Sequence, residues 1–304
     1  MWETMRITHE YSGQRFSKEI DDQFISFLIS DGSGSYFSQG VSKNYSFYQG
    51  SASRYFDDDN EDEWTMFKFV ERIDFGEAYE IVNNMNIVRI NHEDSHEVIT
   101  MPSKDIIRLD FSKRKQISIS LDPRRIYDFD TQGRDFEFQE IAEENILLIK
   151  YTKLLGDEED YSLYLAITGY AKFEIDDLWS PRNYEYDAMR SYSKEWWVYN
   201  GLKITPKDNT LFLSQAMTKE QALQLARKKP DFSDISESLK KKCLKDLDTE
   251  KQVAYDASIS ALDSLIVDDN GIYAGYYWFF QFWTRDEAIS LKGLIQEKTK
   301  SQFV

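Results

Sequence analysis

Cysteine, histidine, proline and net positive charge are all in short supply in this 304-residue chain. Its one cysteine, Cys243, excludes an intrachain disulfide and any cysteine metal cluster. Three histidines, His9, His92 and His96, are too few for a histidine-based metal site. His92 and His96 flank Glu93 and Asp94 in a polar run that reads as a loop, so neither a metal nor another cofactor is expected. Proline occurs five times, and no internal repeat or low-complexity tract is evident. No apolar run approaches the ~20 residues that span a membrane. The opening Met-Trp-Glu-Thr-Met-Arg lacks the apolar stretch of a secretion signal, which makes the cytoplasm the expected compartment. A formal charge of −17 argues against a nucleic-acid backbone or an anionic membrane as main partner. A neutral polysaccharide is indifferent to that charge.

What the chain does have is apolar and aromatic mass. Apolar residues make up 41% and aromatics 15%, enough for a substantial core in one large or two ordinary domains. Residues 24–56 read as strands joined by glycine turns, with Phe24-Ile-Ser-Phe-Leu-Ile29 leading into Asp31-Gly-Ser-Gly-Ser35. The lone Gly-x-Gly at Gly32–Gly34 has no Lys-Ser/Thr after it and is no phosphate loop. Asp57-Asp-Asp-Asn-Glu-Asp-Glu63 lacks the spacing and central glycine of a calcium loop and reads as a solvated hairpin tip. From 64 to 175, short alternating runs such as Thr65–Val70, Ile106–Phe111 and Asn145–Tyr151 recur every ~10–15 residues, the rhythm of a large antiparallel sandwich. Asp122-Pro-Arg-Arg-Ile-Tyr-Asp-Phe-Asp130 interrupts it, and its arginines suit an Arg–carboxylate lock, with a sugar contact from Arg124 or Arg125 as the alternative. Trp179 to Gly201 is dense in aromatics that fit either inter-sheet packing or a glycan groove. Gly201–Thr205 and Thr210–Ser214 read as closing strands.

At Thr218 the period changes from 2 to 3.6. Thr218–Arg227 reads as a helix with a threonine N-cap, ending before Pro230. Ser233–Leu247 reads as a lysine-rich helix. A third, opening at Thr249, places Val253, Ala254, Ala257, Ala261, Leu262, Leu265 and Ile266 on one face. The chain therefore divides into a β-sandwich over 1–216 and a helical part over 217–304. Tyr276 to Trp283 then packs seven aromatics into eight residues and stops at Arg285-Asp286, the head of a segment with helical spacing. Rings beside a fixed carboxylate and guanidinium suit a sugar, whose C–H faces stack while its hydroxyls need charged partners. A core helix with an acid in its first turn is the plainer alternative.

The wording of the stretch adds to this. Trp283-Thr284-Arg285-Asp286 with Ala288-Ile289-Ser290-Leu291 resembles the Trp-x-Arg-Asp segment of glucoamylases and of the amylo-α-1,6-glucosidase domain of glycogen debranching enzymes. Ala274-Gly275-Tyr276-Tyr277-Trp278-Phe279 is similar to the Ala-Gly-x-x-Trp-Phe that leads into it. Weaker resemblances fall in the same order: Phe27–Tyr36, Val41–Gly50, Asp122–Asp130 and Arg182–Ser191. The chain departs from the family at Ser46 and Phe47, where relatives carry paired arginines, at Gln49, where they carry histidine, and at Ser191, where they carry glycine.

The resemblance implies a mainly β protein: a large β-sandwich followed by the first helices of an incomplete (α/α)₆ barrel. It implies an α-glucan such as glycogen, limit dextrin or a maltooligosaccharide as partner. Trp283, Arg285 and Asp286 would hold the innermost glucose, with Tyr276, Trp278 and Phe282 as an aromatic wall. The family's chemistry is an inverting hydrolysis by two carboxylic acids ~6.5–9.5 Å apart. Asp286 and Glu287 are helix neighbours pointing about 100° apart and cannot flank one bond. The expectation is therefore that this chain carries no catalytic residue and is inactive alone. It would be a truncated product, half of an enzyme completed by a second polypeptide, a fragment packed on another copy, a non-catalytic glucan-binding or regulatory subunit, or a fragment of a glucoamylase- or trehalase-like enzyme.

Overall fold

The computed structural model describes residues 4–11, 13–21, 24–57, 63–84, 86–192, 195–230, 248–267, 271–276, 282, 285–286 and 288–291. Two large sheets dominate it. The first has ten strands, in the order β12 (Arg134–Ile141), β13 (Ile146–Leu155), β14 (Glu158–Thr168), β18 (Thr210–Ala216), β10 (Ile106–Phe111), β9 (His96–Ser103), β8 (Ile87–Asn91), β7 (Glu80–Asn84), β1 (Met5–Tyr11) and β2 (Gln14–Ile20). The second runs β15 (Tyr170–Ile175), β17 (Glu195–Pro206), β11 (Ile117–Arg125), β6 (Glu63–Asp74), β5 (Gly50–Asp57), β4 (Tyr36–Gly40) and β3 (Ser26–Ser30), and β16 (Trp179–Asn183) also pairs with β17. Pairing is antiparallel except between β1 and β7. The chain is mainly β and sandwich-like, as its alternating pattern requires.

The period-2 alternation builds the core directly. Tyr161, Leu163, Leu165 and Ile167 of β14 and Leu147, Ile149 and Tyr151 of β13 meet Phe67, Phe69, Ile119, Leu202 and Ile204 of the other sheet in one buried cluster. Strand β13 has a second apolar row, Ile146 and Leu148, because the helix over Lys219–Lys228 covers its outer face. That is why 146–149 is a continuous apolar run rather than an alternating one.

Helix α2 (Lys219–Lys228) starts at the Thr218 cap, whose hydroxyl accepts from Gln221 N at 3.3 Å. It buries Ala222 and Ala226 against Ile146, Leu148, Ala166 and Ala216. Helix α3 (Thr249–Ser264) lies against β1 and β2, and Thr249 bonds Gln14. The expected Ser233–Leu247 helix lies outside the described residues.

Two expectations for α3 need correction. It stops at Ser264, and Ile266–Val267 instead form a short strand, β19, with β20 (Gly271–Ile272). Its buried residues are Gln252, Val253, Asp256 and Ser260, while Ala254 and Ala261 are exposed. The helix rests on a polar surface, so polar residues at i, i+4 and i+8 supply the contact and Gln252 donates to Asp256 at 3.0 Å.

Strands β17 and β18 follow each other in sequence but belong to different sheets. The Pro206–Asn209 turn therefore crosses between layers. Strands β1 and β2 at the start of the chain had no reading from the pattern. At the acidic run, Asp57 pairs with Glu63 across β5 and β6, while 58–62 lie outside the described residues.

Candidate functional site

The short β19–β20 ribbon brings the C-terminal aromatics onto the outer face of the second sheet. Val267 and Tyr273 are buried there with Tyr36, Ala52, Met66 and Val198. Gly34, at φ +96°, makes the approach possible. A Cβ at that position would lie 3.0 Å from Val267 Cγ1 and 3.1 Å from the Tyr273 hydroxyl. Tyr276 packs tilted against Tyr36 and edge-on against Tyr273, with ring centroids at 5.2 and 5.7 Å. Its hydroxyl donates to Ser264 O at 3.1 Å and shares a 3.4 Å contact with Ser30 Oγ. Burial pushes the Tyr276 hydroxyl pKa up. Tyr276 thus anchors the segment to the β3–β4 turn.

Arg54 lies next to this anchor, on β5. It is 5% exposed, yet among the described residues its side chain makes no ion pair, and its Nη1 has no hydrogen-bond partner. Aromatic rings surround it instead: Trp64 at 4.2 Å, Phe282 at 5.4 Å and Tyr273 at 6.0 Å from its Cζ. Phe282 stacks on Tyr273 at 5.1 Å and 26°. Phe56 meets Trp64 edge-on at 5.6 Å, and Phe56, Trp64 and Phe282 are each more than a third exposed. A buried guanidinium normally recovers its lost hydration through carboxylates or carbonyls. Here cation–π contacts hold it, buried beneath an exposed aromatic ledge.

Beneath the ledge, the β3–β4 turn is fixed by two carboxylates. Asp31 Oδ1 accepts from Ser33 N at 2.8 Å and from Ser33 Oγ at 2.7 Å, and Oδ2 accepts from Asp105 N at 3.1 Å. Asp105, at φ +61°, accepts from Ser35 Oγ at 2.9 Å. Burial, then the Asp105 charge, pushes the Asp31 pKa up to about 6, and burial raises Asp105 as well. Between the ordinary carboxylate value and about 6, the folded chain holds a proton that the unfolded chain releases, so this site's contribution to stability falls as pH rises through that window. Urea midpoints of wild type and Asp31→Asn at pH 4.5 and 7 check this. The variant should gain on the wild type at the higher pH, and a pH-independent difference would refute the assignment.

The Asp122–Asp130 segment forms the expected lock. Asp122 is fully buried and accepts from Arg124 Nε at 3.0 Å, Arg134 Nη2 at 2.8 Å and Trp196 Nε1 at 2.9 Å, with Lys68 Nζ also at 3.0 Å. Arg124 donates to the Phe47 carbonyl at 2.7 Å and is 1% exposed, which leaves it no access to a ligand. Arg125 pairs with Asp160 at 3.0 Å and lies over Tyr161 at 4.4 Å. Lys68 and Glu71, buried partners of each other, were not legible as core residues. Phe47, where relatives of the resembled family carry an arginine, packs its ring against Tyr48, Phe129 and Tyr184.

Of the residues read as sugar contacts, Tyr276 and Phe282 both pack on Tyr273, and of the two Phe282 lies against Arg54. Arg285 and Asp286 are helical, as are residues 288–291, and Arg285 Nη2 lies 3.2 Å from Asp286 Oδ2 with the arginine side chain exposed. Trp278 and Trp283 lie outside the described residues. Arg54, Trp64 and Phe56 were missed. Their only signal was an arginine and two aromatics flanking a charged hairpin tip, which also fits plain surface strands. No protein-family profile matches the chain, and no curated protein matches it.

Proposed function

We propose that the chain is the sandwich part, with the opening barrel helices, of a glycogen-debranching-type α-1,6-glucosidase, an inverting hydrolase of α-glucans in the cytoplasm. Arg54 carries the reading: a buried cation with no ion pair among the described residues, framed by the exposed Trp64 and Phe282. A glucose unit suits such a place. Its C–H face covers the exposed ring of Trp64 or Phe282, with the buried Arg54 charge beneath. The wording of 274–291 supports the same reading, with Arg285 and Asp286 as further hydroxyl partners. In this reaction two carboxylic acids carry the protons, one to the leaving oxygen and one from the attacking water. The residues named here hold the substrate and move no proton.

Maltoheptaose titration, followed through the Trp64 indole signal, tests the proposal. The signal should move, and Phe282→Ala should weaken the binding by up to about tenfold, since a ring contact is worth about 0.5–1.5 kcal/mol. A Trp64 signal unmoved by maltoheptaose would sink the reading. Turnover of limit dextrin by the 304-residue chain alone would overturn the restriction to substrate holding.

A further inference from the structure

A second place on the sandwich, in the aromatic Trp179–Gly201 stretch, has the features of a ligand site. Thr131, Gly133, Arg134, Trp179 and Trp197 line an open cleft of about 370 Å³. That volume lies within the ~300–1,000 Å³ typical of small-molecule sites. Trp197 sits on β17 with 43% of its surface exposed, and among the described residues its ring touches no other ring. Its sequence neighbour Trp196 turns the other way into the lock around Asp122. One strand thus spends one indole on the core and offers the next to the cleft.

The fold holds the floor rigidly. Arg134 donates to the Trp197 carbonyl at 2.7 Å and to Asp122, and its guanidinium lies 4.6 Å from the Trp179 ring. Its side chain is 3% exposed, and Nε has no partner of hydrogen-bonding geometry among the described residues. Trp179 is wedged edge-on against Tyr199 at 5.7 Å and beside Phe136 at the same distance. Gly133, at φ +62°, presses the chain onto β13, where a Cβ would come within 2.2 Å of Leu154 O. Two indoles, an immobilised guanidinium and the rim hydroxyl of Thr131 therefore need no rearrangement to receive a ligand.

Charge narrows the ligand class. A cation would meet Arg134, while an anion would find that guanidinium already matched by Asp122, in a chain of formal charge −17. A neutral molecule with one apolar face and several hydroxyls fits, and the open side suits a chain that continues beyond the cleft. We infer that the Trp179–Trp197 cleft is a second glycan-binding subsite, taking one uncharged hexopyranose unit of a polysaccharide on the face of Trp197. That the polysaccharide is an α-glucan rests on the function proposed above; the choice of a neutral pyranose does not.

The test is a titration of the full chain with maltoheptaose and, separately, cellohexaose, following the Trp197 indole signal. Trp64, followed in the same experiment, reports the ledge independently. The expected result is a shift of the Trp197 signal with maltoheptaose. Trp197→Ala should weaken the cleft binding by about tenfold and Trp197→Phe should restore part of it, because a ring face carries the contact. Trp197 is exposed, so both variants should fold. If only cellohexaose moves the signal, the cleft stands as a glycan site and the α-glucan reading falls. If neither sugar moves it, or Trp197→Ala binds as tightly as wild type, the inference is overturned.

Discussion

Replacing Asp122 by alanine is expected to lower the unfolding free energy by about 3–5 kcal/mol, the cost of breaking a buried ion network by removing one partner. Strands β6 and β11 place Lys68 directly opposite Arg124 in cross-strand register, so two cations face each other inside the protein. Arg134 approaches from β12. Asp122 is the carboxylate that all three share, and it also takes the Trp196 indole N–H. Without it, Glu71 remains paired with Lys68 alone, and the two arginines lose their carboxylate. Asp122→Asn keeps an acceptor but not the charge, and should fall between wild type and alanine in urea midpoint at neutral pH. A loss under about 1 kcal/mol for Asp122→Ala would mean that the cations find other partners.

The pH dependence of that loss is a second reading of the same network. Burial alone would raise the Asp122 pKa, but Lys68, Arg124 and Arg134 hold it well below the usual carboxylate range. A depressed folded pKa gives stability that is present above the unfolded value and lost only as pH falls toward the folded one. The penalty of Asp122→Ala should therefore persist from pH 7 to about 4 and shrink only in stronger acid. Asp31 titrates in the opposite sense, so the two variants have distinguishable profiles.

The sandwich was legible because its signal is short-range. Alternation in 64–175 reports which side chains face inward, and the strands lie where those alternations are. Which strands share a sheet was not legible, because pairings such as β14 with β18 join residues some 50 positions apart and leave no local trace. Lys68 illustrates a further limit. A lysine between two phenylalanines reads as the solvent side of a strand, and only the covering loop with Phe47 and the acids from two other places turns it inward. The α3 face failed for a related reason. Apolar spacing names the face a helix can bury on an apolar partner, and β1 and β2 present Thr8 and Gln14 instead. At the candidate site, Phe282 stood out by composition. Arg54 stands out only once burial shows that it is a cation with no carboxylate partner among the described residues.

Gly201→Ala is expected to cost about 3 kcal/mol, the upper end of the usual range for overpacking. A Cβ at Gly201 would fall 1.5 Å from Asp176 O and 2.6 Å from Asp176 C, and these are backbone atoms with no rotamer to turn away. The contact exists because β15 and β16 share one edge of β17, and residues 176–178 cross between them over this glycine. Asp176 N donates to Gly201 O at 2.8 Å, and Asn200 N to Leu178 O at 2.7 Å, so the crossing is tied down on both sides. Relief of the clash must lift that segment, and Trp179 follows it directly. The variant should therefore lose urea stability and also shift the indole signals of Trp179 and Trp197, opening the cleft on the β16 side. Gly76→Ala is the control. Gly76 has φ +84° and open space around its Cβ position, so alanine there pays only the left-handed backbone, ~1–2 kcal/mol, and leaves both indoles unmoved. If Gly201→Ala costs no more than Gly76→Ala, the 176–178 crossing has slack, and the placement of Trp179 does not depend on it.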